Sequence, residues 1–176
     1  MNEFINNGGR VKLTELNLPQ DLKKLSISQC RQLCGEIRST LVDTVSATGG
    51  HLASNLGVVE LTMSIHRNFN SPKDKIVWDV GHQAYVHKLL TGRFDDFETI
   101  RCPGGLSGFT RRYESEHDIM SGGHSSVALS AAYGIAAANK IKHKKDYTIA
   151  VVGDGAFTGG MVYEALNNAG RAGTGT

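Results

Sequence analysis

Tyr147-Thr-Ile-Ala-Val-Val-Gly-Asp-Gly-Ala-Phe-Thr-Gly-Gly-Met-Val-Tyr-Glu-Ala-Leu-Asn-Asn-Ala-Gly170 packs a strand, a turn and a helix into one short stretch. Tyr147 to Val152 is an apolar run rich in β-branched residues, the pattern of a buried strand. Gly153-Asp154-Gly155 punctuates it at once. From Gly160 to Asn168, the apolar residues Met161, Ala165 and Leu166 predict a helix packed on a sheet. Strand, turn and helix in this order predict an α/β fold, with a mostly parallel sheet flanked by helices. The turn then falls at the carboxyl edge of the sheet, where such folds bind ligands. Its glycines let the backbone approach a phosphate closely. Asp154 offers a hard oxygen, and Mg²⁺ is ordinarily held by one or two carboxylates together with phosphate oxygens. The same residues also suit a plain β-turn, and this stretch alone leaves both readings open.

The whole chain agrees with a single globular domain. Its 176 residues are enough to bury a core, and acids and bases are interspersed to a formal net charge of +2. No basic stripe points to nucleic acid, and no apolar run is long enough to span a bilayer. No signal peptide is expected at the start. With 3 cysteines the chain cannot pair all its thiols internally. Cys30 and Cys34 fall on one face of a predicted helix, as buried free thiols, which fits a reducing cytoplasm.

Taken in order, residues 1–18 read as a lead-in, flexible up to Gly9, and residues 19–176 as the domain. Pro19 opens a short helix, Gln20 to Leu25. Ser26 or Ser28 caps a longer one, Gln29 to Ala47, with Cys30, Leu33, Cys34, Ile37, Leu41, Val42 and Val45 as its apolar stripe. A polar glycine loop, Ala47 to Gly57, carries His51 into a helix from Val58 to Phe69, striped by Val58, Leu61, Ile65 and Phe69. Lys75 to Val80 reads as a strand, Gly81-His82-Gln83 as the turn after it, and Ala84 to Leu90 as the next helix. Phe94, Phe97 and Ile100 anchor a loop-rich segment. Thr110 to Asp118 reads as a solvated charged loop, with a flap near a ligand as the alternative. Met120-Ser-Gly-Gly-His-Ser-Ser126 opens a small-sided helix, Val127 to Lys142, with Ser125 and Ser126 as caps and a free amino terminus suited to an anion.

Three glycine-flanked histidines (His51, His82 and His124) and one glycine-flanked aspartate (Asp154) therefore recur at turns entering helices. Each also has an ordinary structural reading as a loop or capping residue. No nucleophile elbow, P-loop, dinucleotide fingerprint or zinc-spaced Cys/His set is present.

Thr48-Gly-Gly-His-Leu-Ala-Ser-Asn-Leu-Gly57, Trp78-Asp-Val-Gly-His-Gln-Ala-Tyr85, Gly123-His-Ser-Ser126 and Gly153-Asp-Gly-Ala156 together resemble the amino-terminal domain of the 1-deoxy-D-xylulose-5-phosphate synthase family. These are thiamine-diphosphate enzymes of the transketolase superfamily. The resemblance runs from Leu18 to Arg171 in order and spacing. Ordinary transketolases are less similar, since their loop after the first histidine reads Gly-His-Pro where Gly50-His-Leu stands here.

The resemblance implies the fold of a thiamine-diphosphate-binding domain, incomplete in this stretch. It implies that His82, Gly123, His124 and Ser125 contact thiamine diphosphate, that Asp154 ligates Mg²⁺, and that Gly155 and Ala156 touch the cofactor beside it. His51, with His82, would stand near the reacting carbon as a catalytic residue. It implies a cytoplasmic homodimer that condenses pyruvate with D-glyceraldehyde 3-phosphate, releasing CO₂ and forming 1-deoxy-D-xylulose 5-phosphate for isoprenoid and thiamine synthesis. The family's second metal ligand, an Asn, and its ring-activating Glu have no counterpart here, and Arg171-Ala-Gly-Thr-Gly-Thr176 reads as a truncated end. This portion alone is therefore expected to be inactive and to bind cofactor poorly. Transketolase, another thiamine-diphosphate enzyme, and a non-catalytic α/β binding module are the competing readings.

Overall fold

A computed structural model describes residues 9–172. The flexible terminus expected before Gly9 lies outside the described residues. The chain divides into two compact units, one formed by residues up to Asn70 with Gln83–Gly108, the other by Ser71–His82 with the residues from Phe109 onward.

The first unit is helical. Helix α1 (Ile27–Thr48) begins with a reciprocal cap: Ser26 Oγ accepts from Gln29 N at 3.2 Å, and Gln29 Oε1 accepts from Ser26 N at 2.9 Å. It ends at Gly49, whose φ of +75° only glycine adopts without strain. Cys30, Leu33, Cys34, Ile37, Leu41 and Val45 are buried at the expected spacing, while Val42, placed on the same stripe by sequence, is exposed. Short helix α2 (Leu52–Leu56) breaks what the sequence reads as a continuous loop, and α3 (Val59–Asn68) follows. The buried face of α3 runs through Val59, Thr62, Met63, Ile65 and His66, and Leu61 points outward. The helix starts a residue later than predicted, after the turn at Gly57-Val58, and the buried stripe begins at Val59 in place of Val58. Helix α4 (Tyr85–Leu89) and a 3₁₀ turn at Phe97–Thr99 close the unit. One core joins Leu22, Leu33, Ile37, Leu41, Val59, Tyr85, Leu89, Phe97 and Ile100 with their neighbours. Each such Leu or Ile contributes about 1.5–3 kcal/mol of burial. Burial also pushes the Cys30 thiol up, and the Cys34 thiol up to about 11, so Cys34 stays protonated and inert at neutral pH.

The second unit holds the sheet. Strand β1 (Lys75–Trp78) pairs in parallel with β2 (Thr148–Val151), in the register Ile76 to Ile149 and Trp78 to Val151. Both are shorter than the runs predicted, yet Lys75 N donates to Tyr147 O and Asp79 N to Val151 O, so the ladder reaches one residue further at two corners. Among the described residues these are the two strands, and they make the unit a mixed helix and sheet structure with a small parallel sheet. Helix α5 (Ala128–Ile141) lies in the chain between them, and Val77 packs with Ala128 and Ala132. The alanines on α5 are what let helix and strand come close. Helix α6 (Gly160–Ala172) buries Val162 and Ala165 but leaves Met161 and Leu166 exposed, against the prediction. The segment Thr110 to Asp118 is less solvated than its charges suggest. Thr110, His117 and Asp118 are buried, Asp118 Oδ2 accepts from Arg111 N at 2.7 Å, and His117 Nδ1 bonds Ser71 Oγ at 2.8 Å. No helix among the described residues is long and apolar enough to cross a membrane.

Candidate active site

A parallel pair of strands delivers two chain segments to the same edge of the sheet. Beyond β1 come Asp79, Val80, Gly81 and His82; beyond β2 come Gly153, Asp154, Gly155 and Ala156. The turn that opens α5 is bonded to both.

Asp79 is the centre of this arrangement. It is buried, so its carboxylate must find donors inside the protein. Oδ1 accepts from Ser126 N at 2.8 Å and Oδ2 from Ala128 N at 2.9 Å. This is a capping interaction supplied from a strand end far away in sequence. No side chain of the helix's own caps it, contrary to the expectation for Ser125 and Ser126. The expected free amino terminus of α5 is thus occupied in part by the chain's own anion. Val80 adds two backbone bonds to the same turn: it donates to His124 O at 3.2 Å and accepts from Gly123 N at 2.7 Å. Val80 has a φ of +60°, a rare conformation for a β-branched residue. Gly122 is needed beside it, because a Cβ there would fall 2.3 Å from Val80 O. Arg111 steadies the turn from outside, donating from Nη1 to Gly122 O at 2.7 Å.

The turn after β2 winds tightly, with Ala156 N and Phe157 N both donating to Gly153 O. Ser126 Oγ donates to Ala156 O at 2.9 Å, which joins this turn to the one opening α5. His124, Ser125, Asp154 and Gly155 are exposed on these two turns, and His82 is half-buried. The exposed set offers a carboxylate, an imidazole, a hydroxyl and backbone N–H groups, which is the donor chemistry that a metal-bound diphosphate uses. No three His, Cys, Asp or Glu side chains among the described residues gather into a metal cage. A cation at Asp154 would accordingly take its other oxygens from a bound ligand and water.

His51 belongs to the first unit. It is exposed, at the position before α2. Its carbonyl accepts from Asn55 Nδ2 at 2.6 Å, and Asn55 Oδ1 accepts from Tyr85 N at 2.8 Å. The fully buried Asn55 thereby fixes the His51 backbone to the start of α4. The sequence reading gave Asn55 and Asp79 no role and took Ser126 only as a helix cap. A carboxylate directly after an apolar strand was the available signal for Asp79, since such a residue is either functional or internally bonded.

Comparison with known proteins settles the family. The model of a family described as 1-deoxy-D-xylulose-5-phosphate synthase matches residues 13–175. The chain belongs to the 1-deoxy-D-xylulose-5-phosphate synthase family. The synthase of Caldanaerobacter subterraneus subsp. tengcongensis is 61% identical over 160 residues, covering 91% of this chain and 26% of that protein. The synthase of Alkaliphilus oremlandii is 59% identical over 160 residues with the same coverage. That of Desulfitobacterium hafniense is 56% identical over 162 residues, or 92% of this chain and 26% of the relative. The chain thus spans about a quarter of the length of the synthases it matches.

Proposed function

We propose that this chain forms the diphosphate-side part of a thiamine-diphosphate-dependent synthase, which condenses pyruvate with D-glyceraldehyde 3-phosphate to give 1-deoxy-D-xylulose 5-phosphate and CO₂. The observation that carries the reading is the bonded pair of turns: Gly153-Asp154-Gly155-Ala156, with its exposed carboxylate, and Gly123-His124-Ser125, held to it through Ser126. Family membership supplies the substrates, through the product in the relatives' names.

The donor set fits the cofactor. Asp154 would hold Mg²⁺, which neutralises a diphosphate and anchors it. Gly155 and Ala156 would touch the diphosphate beside the metal, where the open space over Gly153 and Gly155 leaves the backbone accessible. His124, Ser125 and His82 would donate hydrogen bonds to it, and Gly123 would touch it with its own N–H already given to Val80. When bound, thiamine diphosphate supplies the electron sink for decarboxylating pyruvate, while the protein supplies orientation and electrostatics. His51 and His82 would hold or deliver protons at the carboxylate and alkoxide oxygens of the substrates. A cytoplasmic homodimer using Mg²⁺ is part of the same reading, supported by the free thiols and by the family.

The test uses the full-length protein. Pyruvate consumption with CO₂ release in the presence of D-glyceraldehyde 3-phosphate is expected, and use of a ketose donor would favour a transketolase instead. Asp154→Ala should weaken Mg²⁺-dependent thiamine diphosphate binding, read by calorimetry, by ~100-fold or more, since even outer-shell partners of a metal are worth 10–100-fold. Unchanged binding in Asp154→Ala would favour a non-catalytic module. The isolated 176-residue chain should show no turnover and only weak binding.

A further inference from the structure

Ser126 ties the turn that opens α5 to both strand ends. Its N–H donates to Asp79 Oδ1 at 2.8 Å, its Oγ donates to Ala156 O at 2.9 Å, and it is buried. Its φ of +67° lies in the left-handed region. A serine held there is strained, and it persists only where its surroundings over-determine it. One anchor is the end of β1 and the other is the turn after β2. Across from it, a Cβ added to Gly159 would fall 2.3 Å from Ser126 Oγ. The chain leaves room for the hydroxyl at that point and for nothing more.

We infer that Ser126 is a positioning residue that sets the spacing between the Gly123–Ser125 turn and the Asp154–Ala156 turn. Resting on the cofactor reading above, this makes Ser126 the residue that matches the distance between diphosphate donors and metal carboxylate to the bound group. It acts through its neighbours, its hydroxyl being given to Ala156 O. Asp79 divides the labour: its carboxylate holds the Ser126 and Ala128 amides, so loss of the hydroxyl releases only the grip on Ala156 and leaves the start of α5 capped.

The experiment compares Ser126→Ala, Ser126→Gly and Asp154→Asn in the full-length enzyme. Two quantities are read: the thiamine diphosphate and Mg²⁺ dissociation constants by calorimetry, and the thermal midpoint of the cofactor-free protein. Both Ser126 variants should bind about 10-fold more weakly, the scale of an outer-shell loss. At saturating cofactor both should regain a kcat within about twofold of the parent, because the effect is on cofactor assembly. Ser126→Gly also relieves the left-handed backbone, so its midpoint should be no lower than that of Ser126→Ala while its binding stays weak. Binding that recovered along with the midpoint would assign Ser126 a merely structural role and overturn the inference. So would parental binding in Ser126→Ala when Asp154→Asn has lost it. Parental binding in Asp154→Asn as well would bring down the cofactor reading, and the inference with it.

Discussion

The two units of this chain are stabilised in different ways. The first closes around a continuous apolar core of leucine, isoleucine, valine and aromatic side chains. The second buries Ile76, Val77, Trp78 and Val162, with Val77 against alanines, while large apolar side chains such as Ile141, Tyr147, Met161, Tyr163 and Leu166 remain exposed. At its sheet edge the order comes from polar connections, with Asp79, Val80, Ser126 and Arg111 fastening the turns. A core of interlocking side chains is specified by volume; a set of bonded turns is specified by individual donors and acceptors. Turns that must offer backbone groups and small residues to a ligand have no room for the first solution.

That contrast can be broken or sharpened by substitution. Leu33→Ala removes a fully buried side chain from α1 and should cost about 2–5 kcal/mol, read as faster hydrogen exchange of the α1 amides. A loss below about 1 kcal/mol would mean the first unit is not core-dominated. Asp79→Ala strips the acceptor from two buried amides and should cost about 1–3 kcal/mol, with exchange accelerating at Ser126 and Ala128 and not in α1. Asp79→Asn keeps one acceptor and should fall between. If Asp79→Ala left those amides protected, the polar account of the second unit would fail.

Smaller effects belong to the first unit's surface and to one odd hydroxyl. Arg38 pairs with Glu60 through both guanidinium ends, and that hydrogen bond holds the Glu60 carboxyl below its ordinary 4.5. A carboxyl lowered on folding adds stability that is fully present above its ordinary value and lost as pH falls through the folded one. Both side chains are well exposed, so Glu60→Gln should change stability by less than about 1 kcal/mol at pH 7 and by nothing in strong acid, measured by denaturant melts at the two pH values. Tyr85 is fully buried, yet its hydroxyl makes no hydrogen bond among the described residues. Tyr85→Phe should therefore be neutral or stabilising by a few tenths of a kcal/mol, because an unsatisfied buried polar atom is removed. Clear destabilisation would show a bond to the hydroxyl from a group outside the described residues.

The sequence carried the element order well where a periodic pattern and punctuation coincide. The α1 stripe from Cys30 to Val45 follows the three-four spacing, and Gly153-Asp154-Gly155 marks the end of β2. It failed where tertiary contacts override local pattern. Leu61 and Leu166 are apolar but face outward, because the helices they sit on turn another face to their neighbours. Ser125 and Ser126 are natural caps by type, but a carboxylate from β1 takes the role, and no local window contains both partners. The site residues on the two joined turns were visible as glycine-flanked polar groups. The residues that hold those turns, Asp79 and Ser126, were not, since a bond between segments distant in sequence leaves no periodic trace.

One feature of the connectivity bears on how the chain folds during synthesis. Tyr147 N donates to Asp74 Oδ1 across 73 residues, and the two strands beside that bond pair at the same separation. The α1 to α3 region is made first and has its own apolar faces to collapse on, whereas β1 must wait, unpaired, until β2 leaves the ribosome. Closing so long a loop is slow compared with forming local helices. Nascent chains that stall between the two strands would therefore display an open strand edge, and a chaperone bound near Lys75–Trp78 during that interval would be expected to raise the yield of native protein.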